Sequence, residues 1–268
     1  MRISRIRYYS PPDVARVAIG RTLLKVFGRS LATLMSPSMT EMTGRSDSTY
    51  RSALDALEGM LGQTVGEHVD EFRSVATALD ERKATLHTRF PPLWAVERET
   101  AMFLYCLIRA TRPGTIVETG VANGASSFVM LSALLANGSG RLLSVDISSE
   151  AGSLVPNELR GVWDLHVLDA REPEPGMREF FALAAPIDIY FHDSDHSYLN
   201  QLFEYQSVWP HIADGGWFLS DDVDCSHAWM DFTRTQGLHP DVLIDGRKAV
   251  GLTRKPPDAH AVPGPVRM

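Results

Sequence analysis

The sequence predicts an α/β fold in which a mainly parallel sheet is covered by helices on both faces. From residue 114 onward, short and nearly continuous apolar runs alternate with segments of helical periodicity. Such runs between helices are typical of parallel strands buried on both faces. The last two runs are joined only by Gly246-Arg247, so this closing pair is predicted to be an antiparallel hairpin. With 268 residues, of which 44% are hydrophobic, the chain is long enough for a full core.

The segment before the sheet is predicted to be helical. Residues 14–35 space apolar side chains as a helix does and carry a basic stripe that includes Arg21 and Lys25. This helix would pack on its own domain or on a partner subunit, or it would lie on a membrane surface. A Ser/Thr-rich linker, two helices, a Pro91-Pro92 break and a third helix follow, over residues 36–49, 51–62, 66–84 and 93–111.

The predicted sheet then takes up the rest of the chain. Its strands are TIVETG, RLLSVDI, WDLHVLD, IDIYFHD, GWFLSDD, DVLID and KAVGLTR, and the helices between them cover residues 124–137, 174–185, 197–211 and 225–236. The Pro-rich end is expected to be a frayed tail.

Composition excludes several classes of protein. A net charge of −7 and a pI near 5.7 do not indicate a nucleic-acid surface. The two cysteines, Cys106 and Cys225, form no C-x-x-C pair, which argues against a thiolate zinc site or a disulfide framework. No apolar run approaches the roughly 18 residues of a membrane span. We therefore expect a cytoplasmic protein without nucleic-acid or membrane partners. We also expect a homo-oligomer.

A glycine turn follows the first predicted strand in the stretch VETGVANGASS. Gly120 and Gly124 would let a ligand approach the backbone, and the helix that begins here offers free N–H groups to an anion. The turn lacks both the G-x-G-x-x-G fingerprint and the lysine of a triphosphate loop. It therefore suits a ligand with a carboxylate but no phosphate, whose ammonium group Glu118 would face.

Acidic residues also end the next two predicted strands. Asp146 is placed to accept hydrogen bonds from both hydroxyls of a ribose, and Asp169 to meet an adenine amine. Either aspartate would otherwise cap a helix. Acids at three successive strand ends favour a nucleoside site.

Over about residues 95–254 the chain resembles the class I S-adenosylmethionine-dependent methyltransferases, on the evidence of ETGVANG, the SVD and LDA strand ends and the closing hairpin. The resemblance implies a Rossmann-like, doubly wound, seven-stranded sheet in the order 3-2-1-4-5-7-6. It divides the chain into a helical cap, lid or dimerisation region (1–92), the methyltransferase domain (93–255) and a flexible tail (256–268). It also implies a cofactor site made of Glu118, Gly120, Ala122, Gly124, Ser126, Ser127, Asp146, Asp169 and Ala170.

The stretches FHDSDHSY and FLSDDVD end the fourth and fifth predicted strands. Because these strands are neighbours, Asp193 should meet Asp221 and Asp222 at one mouth, and close carboxylates need a compensating cation. Oxygen-only ligands select Mg²⁺. The alternative is that Asp193 or Asp195 caps the helix near residue 197, while Asp222 or Asp224 caps the next helix.

This arrangement is similar to that of the metal-dependent O-methyltransferases of the catechol, caffeoyl-coenzyme A and macrolide-sugar types. The resemblance makes Asp193, Asp221 and Asp222 the metal ligands. His196 stands where the catechol type has a lysine base, so His196 and Asp193 are the predicted catalytic residues. His192 should point away from the mouth by strand alternation, and Trp229 would line the acceptor pocket or pack in the core.

The predicted function is methyl transfer from S-adenosylmethionine to a sugar or phenolic hydroxyl of a secondary metabolite, assisted by Mg²⁺. Three alternatives stay open. The first is a metal-independent O- or N-methyltransferase with a histidine base. The second is a non-catalytic nucleoside-binding or membrane-associated scaffold. The third is an NAD-dependent oxidoreductase, which has the acidic ribose position but not the glycine fingerprint.

Overall fold

The computed structural model describes residues 53–245 and 248–257. The predicted basic helix at 14–35, the linker at 36–49 and residues 258–268 of the predicted tail lie outside this range. The helices and strands below are numbered from the first described element.

Seven helices and seven strands make up the described part of the chain. The helices are α1 (Ala53–Leu61), α2 (Gly66–Thr85), α3 (Arg98–Thr111), α4 (Ala125–Asn137), α5 (Pro173–Ala184), α6 (Tyr198–Val208) and α7 (Ala228–Thr235). The strands are β1 (Thr115–Thr119), β2 (Arg141–Asp146), β3 (Trp163–Val167), β4 (Ile187–His192), β5 (Ile212–Ser220), β6 (Asp241–Asp245) and β7 (Lys248–Arg254). Short 3₁₀ turns cover Pro92–Trp94, Asn157–Val162 and Trp209–His211.

The strands form one sheet in the order β3-β2-β1-β4-β5-β7-β6. Pairing is parallel from β3 to β5, whereas β7 runs antiparallel to both β5 and β6. The predicted fold class, strand order and antiparallel closure are therefore confirmed. The carboxyl ends of β1, β2, β4 and β5 meet at one edge, and the antiparallel β7 brings its first residue to that same edge.

Two hydrophobic cores lie on the two faces of the sheet. Alternating strand residues separate them: Ile189 and Phe191 of β4 pack in the first core, and Tyr190 between them packs in the second. The first core holds α1 to α4, and the second holds α5 to α7. Both faces are thus covered, which explains why the strands are apolar along nearly their whole length.

The described part of the predicted N-terminal region shares the first core. Leu57 of α1 and Phe72 of α2 are buried in the same cluster as α3 and α4. Glu71 of α2 also accepts hydrogen bonds from Arg109 of α3 at 2.7 and 3.0 Å. Residues 53–85 are therefore packed onto the sheet domain, and a cap, lid or dimer role for residues 1–92 stays a prediction.

Prolines explain where two helices depart from the predicted boundaries. The helix predicted at 93–111 begins only at Arg98, because Pro92 starts a separate 3₁₀ turn. The helix predicted at 197–211 ends at Val208, and Pro210 lies in the 3₁₀ turn that follows. Among the described helices, none is both long and apolar enough to cross a membrane.

Candidate active site

The glycine turn between β1 and α4 is packed against protein backbone. Gly120 has φ +83°, and a Cβ there would lie 2.1 Å from the carbonyl oxygen of Asp193. Gly124 has φ +84°, and its Cβ would lie 2.9 Å from the Cα of Gly152. The close approach that we predicted for a ligand is thus made, at both glycines, by neighbouring loops of the chain itself. Gly120 joins the cofactor half of the sheet edge to the acidic half.

Glu118 lies inside the protein and does not face outward. Its carboxylate accepts hydrogen bonds from Ser126, Ser127 at 2.6 Å and Ser144 at 2.7 Å, and the side chain is fully buried. Burial raises the pKa of Glu118 to about 6, although the three serine hydroxyls oppose the shift. The geometry therefore makes Glu118, Ser126 and Ser127 supports of the turn, which differs from the predicted contact of Glu118 with a ligand ammonium.

The raised pKa of Glu118 predicts a pH-dependent stability. Between pH 4.5 and about 6 the folded protein holds this proton more tightly than the unfolded chain. The contribution of this proton to the free energy of unfolding is fully present below pH 4.5 and is lost as the pH rises through 6. The loss amounts to about 2 kcal/mol. In urea titrations across this pH range, the Glu118→Gln variant should not show this fall in the free energy of unfolding. The Glu158→Gln variant, changed at an exposed position, should show the fall as the wild type does. A Glu118→Gln variant that kept the wild-type fall would contradict the assignment.

Asp146 closes the glycine turn from the end of β2. One carboxylate oxygen accepts the N–H groups of Val121 at 2.9 Å and Ala122 at 3.1 Å, and the other accepts the N–H of Ser148 at 2.8 Å. A carboxylate has about four acceptor positions, so Asp146 keeps capacity for a hydroxyl donor. The side chain is half-buried at the sheet edge. This arrangement suits the predicted ribose contact, which stays a prediction.

The predicted adenine residues lie beyond the end of β3. That strand ends at Val167, and both Asp169 and Ala170 are exposed. The carboxylate of Asp169 accepts the backbone N–H of Arg171 at 2.9 Å. Asp169 therefore stabilises its own turn, and its contact with adenine stays a prediction.

The three predicted carboxyl groups, those of Asp193, Asp221 and Asp222, do converge at the edge of the sheet. We call this cluster the acidic mouth. The backbone N–H of Asp193 donates to Thr119, and that of Asp221 donates to His192, both at 2.8 Å, so the parallel ladder continues past the strand ends. Burial and the charge of Asp221 raise the pKa of Asp193 well above its usual range. Asp222 has φ +50°, an uncommon backbone conformation that aspartate tolerates better than most residues.

Lys248 supplies a positive charge inside this acidic mouth. Its ammonium donates a hydrogen bond to Asp221 Oδ2 and lies 3.5 Å from Asp222 Oδ2. The Lys248 side chain is only 3% exposed. Burial opposes its charged form, but Asp193, Asp221 and Asp222 outweigh that effect and raise the pKa of Lys248. The lysine therefore stays charged as the partner of the carboxylates.

His196 also contacts the acidic mouth. Its Nε2 lies 3.1 Å from Asp222 Oδ2 and 3.8 Å from Asp193 Oδ1. Burial lowers the pKa of His196, although the charge of Asp222 opposes the shift. The neutral form of the ring is therefore favoured, with its Nε2 beside Asp222. Nδ1 is buried and has no hydrogen-bond partner among the described residues.

A second buried layer lies behind His196. The rings of His192 and His196 are edge to face with centroids 5.6 Å apart, and His192 Nδ1 lies 2.8 Å from Glu204 Oε2. Burial alone would raise the pKa of Glu204, but His192 and the hydroxyls of Ser194 and Thr119 lower it to about 2. His192 is thus held in the interior, as its strand position predicted, and serves as packing for His196.

None of the four aspartates of the cap alternative is an N-cap of α6 or α7, which have Ser197 and His227 at those positions. Asp195 accepts the N–H of Ser197 at 2.9 Å, directly before α6. Asp224 accepts the N–H of Ala249 at 3.3 Å, and Ser226 bonds the N–H of Ala228 at the start of α7. Caps therefore do not explain Asp193 or the Asp221–Asp222 pair.

The arrangement of the mouth does not fit the predicted Mg²⁺ site. A magnesium ion needs about six oxygen ligands near 2.1 Å, but the ammonium of Lys248 already lies against Asp221 and Asp222. Among the described residues, possible metal-ligand atoms lie within 4.8 Å of one another in one group of three side chains, namely Asp222, Asp224 and Cys225. That group omits two of the three predicted ligands. The magnesium prediction is therefore not confirmed.

Trp229 belongs to the second core. Its ring is fully buried and stacks on Phe218 with centroids 5.4 Å apart, and a Cβ at Gly251 would collide with it. Of its two predicted roles, core packing is the one observed. A surface cavity of about 250 Å³ lies between α6 and α7, and none of its lining residues belongs to the predicted site.

Lys248 and Glu204 are the site residues that the sequence prediction missed. A signal for Lys248 was present, because an antiparallel β7 must bring its first residue to the carboxyl edge of its neighbours. Glu204 gave no signal, since a glutamate within a helix is usually solvated.

The order of the strands is that of the Rossmann-like methyltransferase fold. Residues 117–223 match the family model described as a methyltransferase domain. A comparison with curated proteins found no match.

Solved structures share the fold. The methyltransferase PaMTH1 of Podospora anserina, solved with S-adenosylhomocysteine bound, aligns with a TM-score of 0.51 and 14% identity over 69% of this chain and 88% of its own. A structure described as a putative O-methyltransferase from Klebsiella pneumoniae aligns with a TM-score of 0.50 and 17% identity over 79% of this chain and 100% of its own. At these identities the likeness shows the fold.

Proposed function

We propose that this protein transfers a methyl group from S-adenosylmethionine to a hydroxyl of a small molecule, of the sugar or phenolic type found in secondary metabolites. The observation that carries the proposal is the His196–Asp222 pair at the carboxyl edge of a methyltransferase sheet. The sugar or phenolic acceptor is supported by the resemblance of DSDHSY and SDD to the corresponding segments of O-methyltransferases.

Residues of the cofactor half suit S-adenosylmethionine. Asp146 retains capacity to accept a ribose hydroxyl, and the first turn of α4 directs backbone N–H groups towards the edge, where a carboxylate would bind. When bound, S-adenosylmethionine supplies a sulfonium methyl that is already activated for transfer.

His196 is the general base of the proposal. Asp222 Oδ2 lies 3.1 Å from Nε2 and holds the ring at the sheet edge, so the neutral imidazole takes the proton of the acceptor hydroxyl. The oxygen then bonds to the methyl carbon as the carbon–sulfur bond breaks, and that electron pair stays on sulfur. The proton on His196 passes to solvent after product release. Alignment of acceptor and donor supplies about 7–11 kcal/mol of the barrier reduction.

Magnesium assistance is not part of the proposal, because a lysine already lies between the carboxylates. This form of the proposal is the metal-independent alternative with a histidine base. A nitrogen acceptor would use the same residues, so the acceptor screen decides between oxygen and nitrogen.

Calorimetric titration with S-adenosylhomocysteine tests the cofactor half. We expect binding to the wild type, weakened about 10- to 100-fold by Asp146→Ala, since hydrogen bonds to a charged group contribute about 1.5–3 kcal/mol. Asp164→Ala, an exposed aspartate on β3, is the control and should bind as the wild type does. Mass spectrometry of catechol, sugar and amine acceptors incubated with S-adenosylmethionine should show methylation at oxygen.

If the wild type did not bind S-adenosylhomocysteine, the result would contradict the proposal and favour the scaffold alternative. Tight binding of NADH in a fluorescence titration, without S-adenosylhomocysteine binding, would favour the oxidoreductase alternative.

A further inference from the structure

Lys248 is a buried ammonium in a cluster of three carboxyl groups. Lysine is almost never fully buried unless it is paired, and here its partners are Asp221 and Asp222. Lys248 comes from the antiparallel closing strand and not from the two parallel strands that carry the aspartates.

The position of the ammonium matches the place where a cation would have to sit. An ion shared by Asp221 and Asp222 must lie within bonding distance of both carboxylates, and Lys248 Nζ contacts Oδ2 of each. The ammonium donates a hydrogen bond to Asp221 Oδ2 and makes an ionic contact with Asp222 Oδ2. A divalent ion could enter only if the ammonium moved out of a site in which it is 3% exposed.

The same contact links Lys248 to the general base. Asp222 Oδ2 is shared between Lys248 at 3.5 Å and His196 at 3.1 Å. Displacement of the lysine would therefore free the carboxylate that holds the imidazole. Lys248 acts through Asp222 and is a positioning residue.

We propose that Lys248 is the resident cation of the acidic mouth and occupies the place that a divalent metal takes among related carboxylate sites. The role of Lys248 in catalysis rests on the proposed function, but its effect on metal binding does not. It states that the wild-type chain excludes a divalent ion from Asp221 and Asp222 and that loss of the ammonium admits one.

Manganese binding tests this inference with a readout independent of activity. Mn²⁺ is the probe, because it shares the preference of Mg²⁺ for oxygen ligands and its free form is quantified by electron paramagnetic resonance. We expect Lys248→Ala in the full chain to bind one Mn²⁺ at least about tenfold more tightly than the wild type, or about 1.4 kcal/mol. Its melting temperature should rise on Mn²⁺ addition, whereas that of the wild type should not. Lys83→Ala, an exposed lysine on α2, should behave as the wild type does.

A double variant, Lys248→Ala with Asp221→Asn, locates the ion, since it should lose the affinity gained by the single variant. Three results would overturn the inference: stoichiometric Mn²⁺ binding to the wild type that Asp221→Asn abolishes, a folded Lys248→Ala that gains no affinity, or a gain that survives in the double variant. If Lys248→Ala does not fold, the wild-type titration decides: Asp221-dependent binding overturns the inference, and absence of such binding supports it. Failure of S-adenosylhomocysteine binding would affect only the proposed function.

Discussion

Replacement of His196 by Gln is expected to lower kcat by a factor of about 10² to 10⁴, the usual contribution of a positioned general base. The Gln side chain can still donate to Asp222, but it has no basic nitrogen for the acceptor proton. The affinity for S-adenosylhomocysteine should be unchanged, because His196 contacts the acceptor half of the edge. Single-turnover methyl transfer and calorimetry on the same preparation separate these effects.

Two further variants sharpen the assignment of His196. His239→Gln, at an exposed position away from the mouth, should have the wild-type kcat. Asp222→Asn should lower kcat as well, since asparagine tolerates the φ of +50° at this position but carries no charge to hold the imidazole. A wild-type rate for His196→Gln would contradict the proposed base.

Replacement of Gly120 by Ala is expected to reduce the free energy of unfolding by about 2–5 kcal/mol. An alanine at φ +83° is strained, and its Cβ would lie 2.1 Å from the carbonyl oxygen of Asp193. Relief of that collision must move the backbone of Asp193 and Ser194, and with it the acidic mouth. We therefore expect loss of both stability, measured by urea unfolding, and methyl transfer.

Gly138→Ala is the matched control for Gly120→Ala. Gly138 has φ +67°, and nothing lies within 4 Å of a Cβ built there, so this variant carries the backbone strain without the collision. The free energy of unfolding of Gly138→Ala should fall by only about 1–2 kcal/mol. Equal losses in the two variants would show that the contact between the glycine turn and the Asp193 loop is unimportant.

The sheet was predictable because its signals are local. Apolar runs mark strands that are buried on both faces, and Gly246-Arg247 marks the hairpin, so strand order and closure followed once the methyltransferase resemblance was recognised. The convergence of Asp193 with Asp221 was predictable from the strand order, since neighbouring parallel strands end side by side.

The direction and partners of individual side chains were not predictable in this way. Glu118 was expected to face a ligand, but three serines from α4 and β2 converge on its carboxylate in the interior. The compensating cation was expected from solution, but it comes from Lys248, about 27 residues beyond the aspartate that it pairs with. Such long-range partners depend on how strands and helices pack, which a pattern read along the chain does not specify.

The most direct measurement is the rate of methyl transfer to a hydroxyl acceptor after exhaustive removal of divalent ions with EDTA, compared with the rate after Mg²⁺ is returned. Since Lys248 already supplies the positive charge between Asp221 and Asp222, the two rates should be equal within error. Activity that disappears on chelation and returns with Mg²⁺ would contradict the account.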